Sequence, residues 1–305
     1  MHPEALFYIF GQGVYAYGIC VAVGVIACFA FLMFTMKVKK FNEISSDAVI
    51  LIGILGTGLG FLSGMLFQAI YGLIDTGKFE FGGMTFIGGL IGGVIVFLGV
   101  WNLYMFVIRP RTKIKWLNGE MNATLTDALP FIPIGIVIAH AFGRLGCFFG
   151  GCCYGKAAEW GLPCAAYSSR NVIPTQLFEM AFLFVLAAVM AFLYFKYRFN
   201  YNFSVYLIAY GIWRFGIEYL RDDYRGEFIG NVTPSQFWSI LMVILGIGYI
   251  FAQYYLFSKM MKHPENSVPE AAEATETAGE SVQNADTAQI VDESAQPTDD
   301  KKDAE

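Results

Sequence analysis

Charge is what this sequence has least of. Asp, Glu, Lys and Arg make up 15% of 305 residues and apolar residues 56%, too few charged side chains to clothe a soluble globule of that size. A bilayer is the expected solvent. A cleavable signal is also missing, because the stretch 1–12 lacks a basic n-region and no small-residue cleavage site follows it, so insertion is expected to rest on the first helix itself. No long internal repeat is evident, which removes support for an inverted-repeat transporter. Aromatic residues are absent from 264–305, which holds twelve acidic residues against Lys301 and Lys302. Such a segment cannot bury enough apolar area to offset its ordering entropy and is expected to be a disordered acidic tail. The remaining residues, 1–263, are net basic and form the expected membrane domain.

Apolar runs long enough to cross a bilayer lie at about 14–36, 46–73, 82–108, 126–149, 174–195, 203–220 and 234–258. The expected fold is therefore an all-α membrane protein of about seven transmembrane helices. Lys37, Lys39 and Lys40, then Arg109, Arg111, Lys113 and Lys115, then Lys196 and Arg198 occupy alternate connections, with Lys259 and Lys262 after the last span. The positive-inside rule makes these cytoplasmic, which puts the N-terminus outside and the C-terminus inside. Gly56, Gly60 and Gly64 in span two, and Gly88, Gly89, Gly92 and Gly93 in span three, recur at four-residue spacing and predict close helix packing. Pro130 and Pro133 predict a kink in span four.

The charges that do enter the spans converge. His140 and Arg144 share a face of span four, and Arg214 and Glu218 share a face of span six, with Arg221 about one turn further. Tyr17 lies near the start of span one, and Gln176 and Glu179 lie in the first turns of span five. On the expected orientation all reach the depth of the outer leaflet. An Arg within a span costs roughly 3 kcal/mol, so a functional site is the default reading. The alternative is that Arg214 and Glu218, and Arg144 and Glu179, neutralise one another to hold helices together. In the functional reading, two guanidinium groups bind a phosphate through bidentate hydrogen bonds, and at that depth the phosphate belongs to a phospholipid headgroup.

The stretch Gly143-Arg144-Leu145-Gly146-Cys147-Phe148, continuing to Gly151-Cys152-Cys153-Tyr154-Gly155, resembles the signature of bacterial prolipoprotein diacylglyceryl transferases. In the same order as in that family come Tyr17-Gly18, Gly82-Gly83-Met84-Thr85-Phe86 with Gly88-Gly89, Pro174-Thr175-Gln176-Leu177-Phe178-Glu179, and Arg214-Phe215 with Glu218 and Arg221. The resemblance implies transfer of the diacylglyceryl group of phosphatidylglycerol to the lipobox cysteine of a prolipoprotein, in the bacterial plasma (inner) membrane. It also implies glycerol phosphate as the released product. Partners would be phosphatidylglycerol, prolipoprotein signal peptides and membrane lipids, with no nucleic acid and no cofactor. Arg144, Gln176 and Glu179 would hold the phospholipid. Arg214, oriented by Glu218, would stabilise leaving-group charge, with Tyr17 as proton acceptor or orienting hydroxyl and Gly155 allowing close backbone approach. Two alternatives stay open: a related phospholipid-dependent transferase with another acceptor, and a noncatalytic lipid-binding or transport protein.

Departures from the family pattern are specific. Ile87 stands where the family carries a His in the Gly-rich start of span three, and Ile173 where it has a His before Pro-Thr-Gln. Cys147 stands at the position of an Asn, and an acidic residue is usual near Cys152. His140, one turn from Arg144, is a substitute candidate for the base, with helix packing as its alternative. For Cys147, Cys152, Cys153 and Cys164, disulfides, loop thiols and a metal site all remain open. No metal is assigned, since no His stands at ligand spacing nearby.

Overall fold

The computed structural model describes residues 4–79, 86–164, 170–222 and 233–262; the side chains of 75, 76, 86, 87, 90, 116 and 256–262 lie outside that description. The Gly82–Thr85 motif and the acidic tail fall outside it as well. By internal contacts the chain divides into a unit Met1–Ile247, which holds the candidate site, and a unit Gly248–Glu305.

A short antiparallel hairpin, β1 (Ala5–Ile9) and β2 (Gln12–Tyr15), turns at Phe10 and Gly11, both at positive φ, and leads into α1 (Ala16–Val38). The helix α2 (Glu43–Thr76) starts where the Asn42 side chain accepts a hydrogen bond from the Ser45 amide at 2.9 Å. It stops at Gly77, whose left-handed φ of 71° suits a residue without Cβ. α3 (Phe86–Leu103) continues through a π-helical turn, Tyr104–Ile108. After short helical turns come α4 (Ile132–Phe149), a hairpin of β3 (Ala157–Pro163) with β4 (Asn171–Val172), then α5 (Thr175–Tyr197), α6 (Asn202–Ile217) and α7 (Pro234–Lys262).

Among the described residues, six helices are long and apolar enough to cross a bilayer: α1 to α5 and α7. The span expected at 203–220 is α6, shorter at 16 residues and continued by a 3-10 turn, Glu218–Leu220. The protein is mostly helical, with two small hairpins that hydropathy did not announce. The expected proline kink is corrected. Pro130 precedes α4 and Pro133 sits in its first turn, where the missing amide is not needed, so these prolines start the helix and leave it unbroken.

The glycine spacings act as expected. A Cβ on Gly60 would lie 3.0 Å from the Gly93 Cα and 3.1 Å from the Gly89 carbonyl, so α2 and α3 touch backbone to backbone. The Ser63 hydroxyl crosses the same seam to donate to the Gly88 carbonyl at 3.0 Å. Gly24 packs on Ala139 and Phe142, and Gly146 on Tyr17, so α1 runs antiparallel to α4. Met36, Phe131, Ile134, Val137, Leu183 and Met190 are fully enclosed between α1, α4 and α5. Large apolar side chains elsewhere face outward, Phe106 at 74% and Ile26 at 68% exposure, as suits a surface solvated by lipid. This packing brings the start of α1, the end of α4 and the start of α5 together beside the polar face of α6.

Candidate functional site

Arg144, three residues before Cys147 on the last turns of α4, meets α5 and α6 at once. Its Nη2 lies 3.0 Å from Glu179 Oε1 and donates to the Tyr210 hydroxyl at 2.9 Å, and that hydroxyl donates onward to Glu179 Oε1 at 2.7 Å. Glu179 is 1% exposed and the Arg144 side chain 16%, so the carboxylate is sealed while the arginine is only partly so. One turn deeper, His140 Nδ1 lies 3.0 Å from the Tyr206 hydroxyl, and its ring stands edge-on to Tyr210 at 4.7 Å. His140 is thereby packed into the helix interface against Tyr206 and Tyr210.

The second arginine is organised from its own helix. Arg214 Nη2 lies 2.9 Å from Glu218 Oε2, whose other oxygen accepts from the Thr233 hydroxyl at 3.1 Å. Arg221 Nε approaches the same carboxylate at 3.8 Å. Arg214 also interacts electrostatically with Glu179 and Tyr210, which links the two arginine clusters. Each guanidinium retains a buried donor without a hydrogen-bond partner among the described residues, Nε of Arg144 and Nη1 of Arg214. A buried, unsatisfied donor costs about 1–3 kcal/mol, more when charged, and such donors recur where a ligand is to be received.

Tyr17 packs across Gly146 and Gly150, and lines a cleft of about 630 Å³ between the N-terminal hairpin, α1 and the end of α4. It is 40% exposed and sits in the electrostatic field of Arg144 and of the three loop cysteines. Gln176, 1% exposed, donates through Nε2 to the Cys152 carbonyl at 2.6 Å, and Thr175 donates to the Cys153 carbonyl at 2.8 Å. In this geometry Gln176 clamps the signature loop. Gly155 is a crossing point: its amide donates to the Ile173 carbonyl at 2.9 Å, it pairs with Arg221, and a Cβ there would lie 2.7 Å from the Leu220 carbonyl. It joins the signature loop to the segment carrying Glu218 and Arg221.

Arg144, Glu179, Arg214 and Glu218 are thus brought together with Tyr17 beside them, while Gln176 and Gly155 hold the loop that borders them. Ile87 is helical in α3, and its side chain lies outside the described residues. Sequence reasoning missed Tyr206 and Tyr210. The signal was available: residues 206, 210, 214 and 218 recur every four positions, so α6 carries one continuous polar face. No disulfide joins any of the six cysteines. Instead the sulfurs of Cys147, Cys152 and Cys153 lie within 4.8 Å of one another, a grouping that linear spacing did not suggest. Hydrogen bonds from the Cys147 and Cys152 thiols lower the Cys153 pKa strongly, with burial opposing and Arg221 and Arg144 assisting.

Comparison with known proteins gives a consistent result. A family model described as prolipoprotein diacylglyceryl transferase matches residues 4–252. A phosphatidylglycerol-prolipoprotein diacylglyceryl transferase of Clostridium tetani is 31% identical over 259 residues, covering 79% of this chain and 94% of the relative. Proteins of the same description from Clostridium perfringens (30%, covering 78% of this chain and 91% of the relative) and Dehalococcoides mccartyi (28%, covering 76% and 86%) are also similar.

Proposed function

Because the chain belongs to the prolipoprotein diacylglyceryl transferase family, we propose that it transfers the diacylglyceryl group of phosphatidylglycerol to the cysteine thiol of a prolipoprotein lipobox, and that Arg144 and Arg214 hold the phosphate of the lipid. The observation that carries the assignment of residues is that Arg144 and Arg214 each keep a buried N–H without a hydrogen-bond partner among the described residues. A phosphate oxygen satisfies such donors, and Arg presents them in a fixed fork.

The reaction is an S-alkylation. The acceptor sulfur, as thiolate, attacks the glycerol carbon that carries the phosphate; an S–C bond forms, the C–O bond breaks, and its electron pair leaves on glycerol phosphate. Charge grows on the departing phosphate oxygen as the bond stretches. Arg214, held by Glu218, faces that charge, while Arg144, anchored through Glu179 and Tyr210, orients the headgroup. Both guanidinium groups are positioned before the lipid arrives, so little reorganisation is needed at the moment of reaction. Tyr17, which lines the cleft beside the end of α4, is the orienting hydroxyl in this reading.

In this reading the site faces the outer leaflet of the bacterial plasma membrane, with the N-terminus outside and the C-terminus in the cytoplasm, a placement supported by the basic connections between spans. Prolipoproteins present their lipobox on that side through a signal peptide. Incubation of the purified protein with phosphatidylglycerol and a lipobox peptide yields a thioether-linked diacylglyceryl peptide and glycerol phosphate. Absence of both products, beside an active family enzyme under the same conditions, overturns the reading.

A further inference from the structure

The three loop cysteines Cys147, Cys152 and Cys153 are given no task by the reading above. Their sulfurs lie within 4.8 Å of one another. A tetrahedral zinc site with Zn–S near 2.3 Å places sulfurs about 3.8 Å apart, so closure of about 1 Å completes a three-thiolate face. The backbone beneath them is held for that geometry. Cys153 adopts a left-handed φ of 63° and Gly151 one of 67°, a conformation that costs a non-glycine residue about 1 kcal/mol or more. The Cys152 and Cys153 carbonyls are fixed by Gln176 and Thr175, each 1% exposed, and the Cys152 amide returns to the Cys147 carbonyl at 3.2 Å. A strained turn fixed from beneath by two buried donors is a preorganised support for three thiols.

We propose that Cys147, Cys152 and Cys153 bind a thiophilic divalent cation, zinc in the first instance, and that its open fourth position takes the acceptor thiol of the substrate. Four cysteine ligands would close such a site. Three protein ligands with one position left for substrate is the pattern of a reactive zinc centre, and Cys152 is exposed on the side from which a fourth ligand can come. Cys164 is not part of the group, because the sulfurs within 4.8 Å of one another are those of Cys147, Cys152 and Cys153 alone among the described residues.

The assignment rests on the reading of Arg144 and Arg214 as a diacylglyceryl transfer site, and it supplies what that site lacks. Ile87 and Ile173 leave the acceptor thiol without the histidines usual in the family, and His140 is packed against Tyr206 and Tyr210. Coordination to zinc makes a thiol acidic enough to lose its proton to water at neutral pH. The bound sulfur keeps a lone pair, which forms the S–C bond as the glycerol C–O pair departs with the phosphate. No electron is gained or lost by the metal, and the product thioether, a weaker ligand than a thiolate, leaves. Three thiolates on a divalent cation carry one net negative charge, which Arg144 and Arg221, both within electrostatic range of the thiols, offset.

The test begins with metal content. The full-length protein, purified in detergent without chelator, carries about one zinc per chain, and Cys147→Ser, Cys152→Ser and Cys153→Ser each lose it. In the cobalt-substituted protein a lipobox peptide shifts the thiolate-to-cobalt charge-transfer bands, and the same peptide with serine for cysteine does not. Arg214→Met with Glu218→Gln, which removes a paired charge set that does not bear on the thiols, keeps zinc and the spectral shift while losing lipid transfer. Zinc no higher than in the triple serine variant, or a disulfide among the three cysteines in the purified protein, overturns the site. Full transfer by zinc-stripped protein overturns the role of the metal and leaves the proposed function standing. Zinc binding and a thiol-dependent shift with no transfer from phosphatidylglycerol overturn the proposed donor and leave the metal site standing.

Discussion

Replacing Arg144 separates a structural ion pair from a phosphate-binding residue. Glu179 is 1% exposed and depends on Arg144 and the Tyr210 hydroxyl for compensation, so Arg144→Ala strands a buried carboxylate and costs about 3–5 kcal/mol of stability. That loss alone would abolish activity by unfolding, whatever the arginine does for the lipid. The informative variant is Arg144→Met with Glu179→Gln, which removes both charges at similar volume. Replacing a buried pair by uncharged residues is commonly neutral within about 1–4 kcal/mol in either direction, so the double variant is expected to regain most of the wild-type thermal midpoint in detergent. If Arg144 holds the phosphate, transfer stays impaired: losing hydrogen bonds from a charged group, at about 1.5–3 kcal/mol, lowers kcat/KM by about 10- to 150-fold. The effect is expected mainly in KM for phosphatidylglycerol, measured in mixed micelles. A double variant as stable and as active as the wild type would refute the phosphate assignment and leave the pair as helix glue.

Tyr210→Phe removes the hydroxyl shared by Arg144 and Glu179 and is expected to cost about 1–3 kcal/mol of stability with a smaller loss of transfer than Arg214→Ala, read by thermal scanning beside the transfer assay. Gly60→Leu forces α2 from α3 at a seam where the Gly93 Cα is already 3.0 Å from a built Cβ, lowering stability by about 1–3 kcal/mol or more without changing zinc content. Gly155→Ala meets the Leu220 carbonyl at 2.7 Å and is expected to destabilise by a similar amount. Gln176→Ala frees the Cys152 carbonyl and is expected to weaken zinc retention about 10- to 100-fold in a chelator competition.

Spans and close helix seams were legible because each is written in local periodicity. Hydropathy over about 20 residues marks a helix that lipid can solvate, and Gly60 with Gly89 and Gly93 marks where two of them touch. The charged cluster was legible for a different reason: an arginine in a span is costly enough to demand a partner, and four-residue spacing gave Arg214 its Glu218 directly. Tertiary partners carried no such sign. Tyr210 became the centre of the Arg144–Glu179 pair only when α4, α5 and α6 met, and the hydrogen bond from Gln176 to a backbone carbonyl 24 residues away in sequence depends on the same assembly. The prolines misled because a helix start and a helix kink look alike until the first hydrogen-bonded turn is known. The cysteine trio was hidden because its geometry depends on two left-handed residues in a loop, Gly151 and Cys153, which spacing does not encode.

Stability alone gives a poor account of the two arginines. A well-packed apolar side chain at position 144 would remove the desolvation penalty of the pair and the need for Tyr210 and Glu179 to be satisfied. Nor does mutual neutralisation use all the donors present, because Nε of Arg144 and Nη1 of Arg214 stay buried and unpartnered among the described residues. The asymmetry of exposure points the same way: the carboxylate is closed off while the arginine side chain that it holds is 16% exposed. An ion pair serving only as glue has no reason to leave its cation part-exposed at the edge of a strained, tightly clamped loop. A pair that orients a cation toward an incoming phosphate needs that arrangement, with the acid and the tyrosine buried behind the arginine and the lipid in front of it.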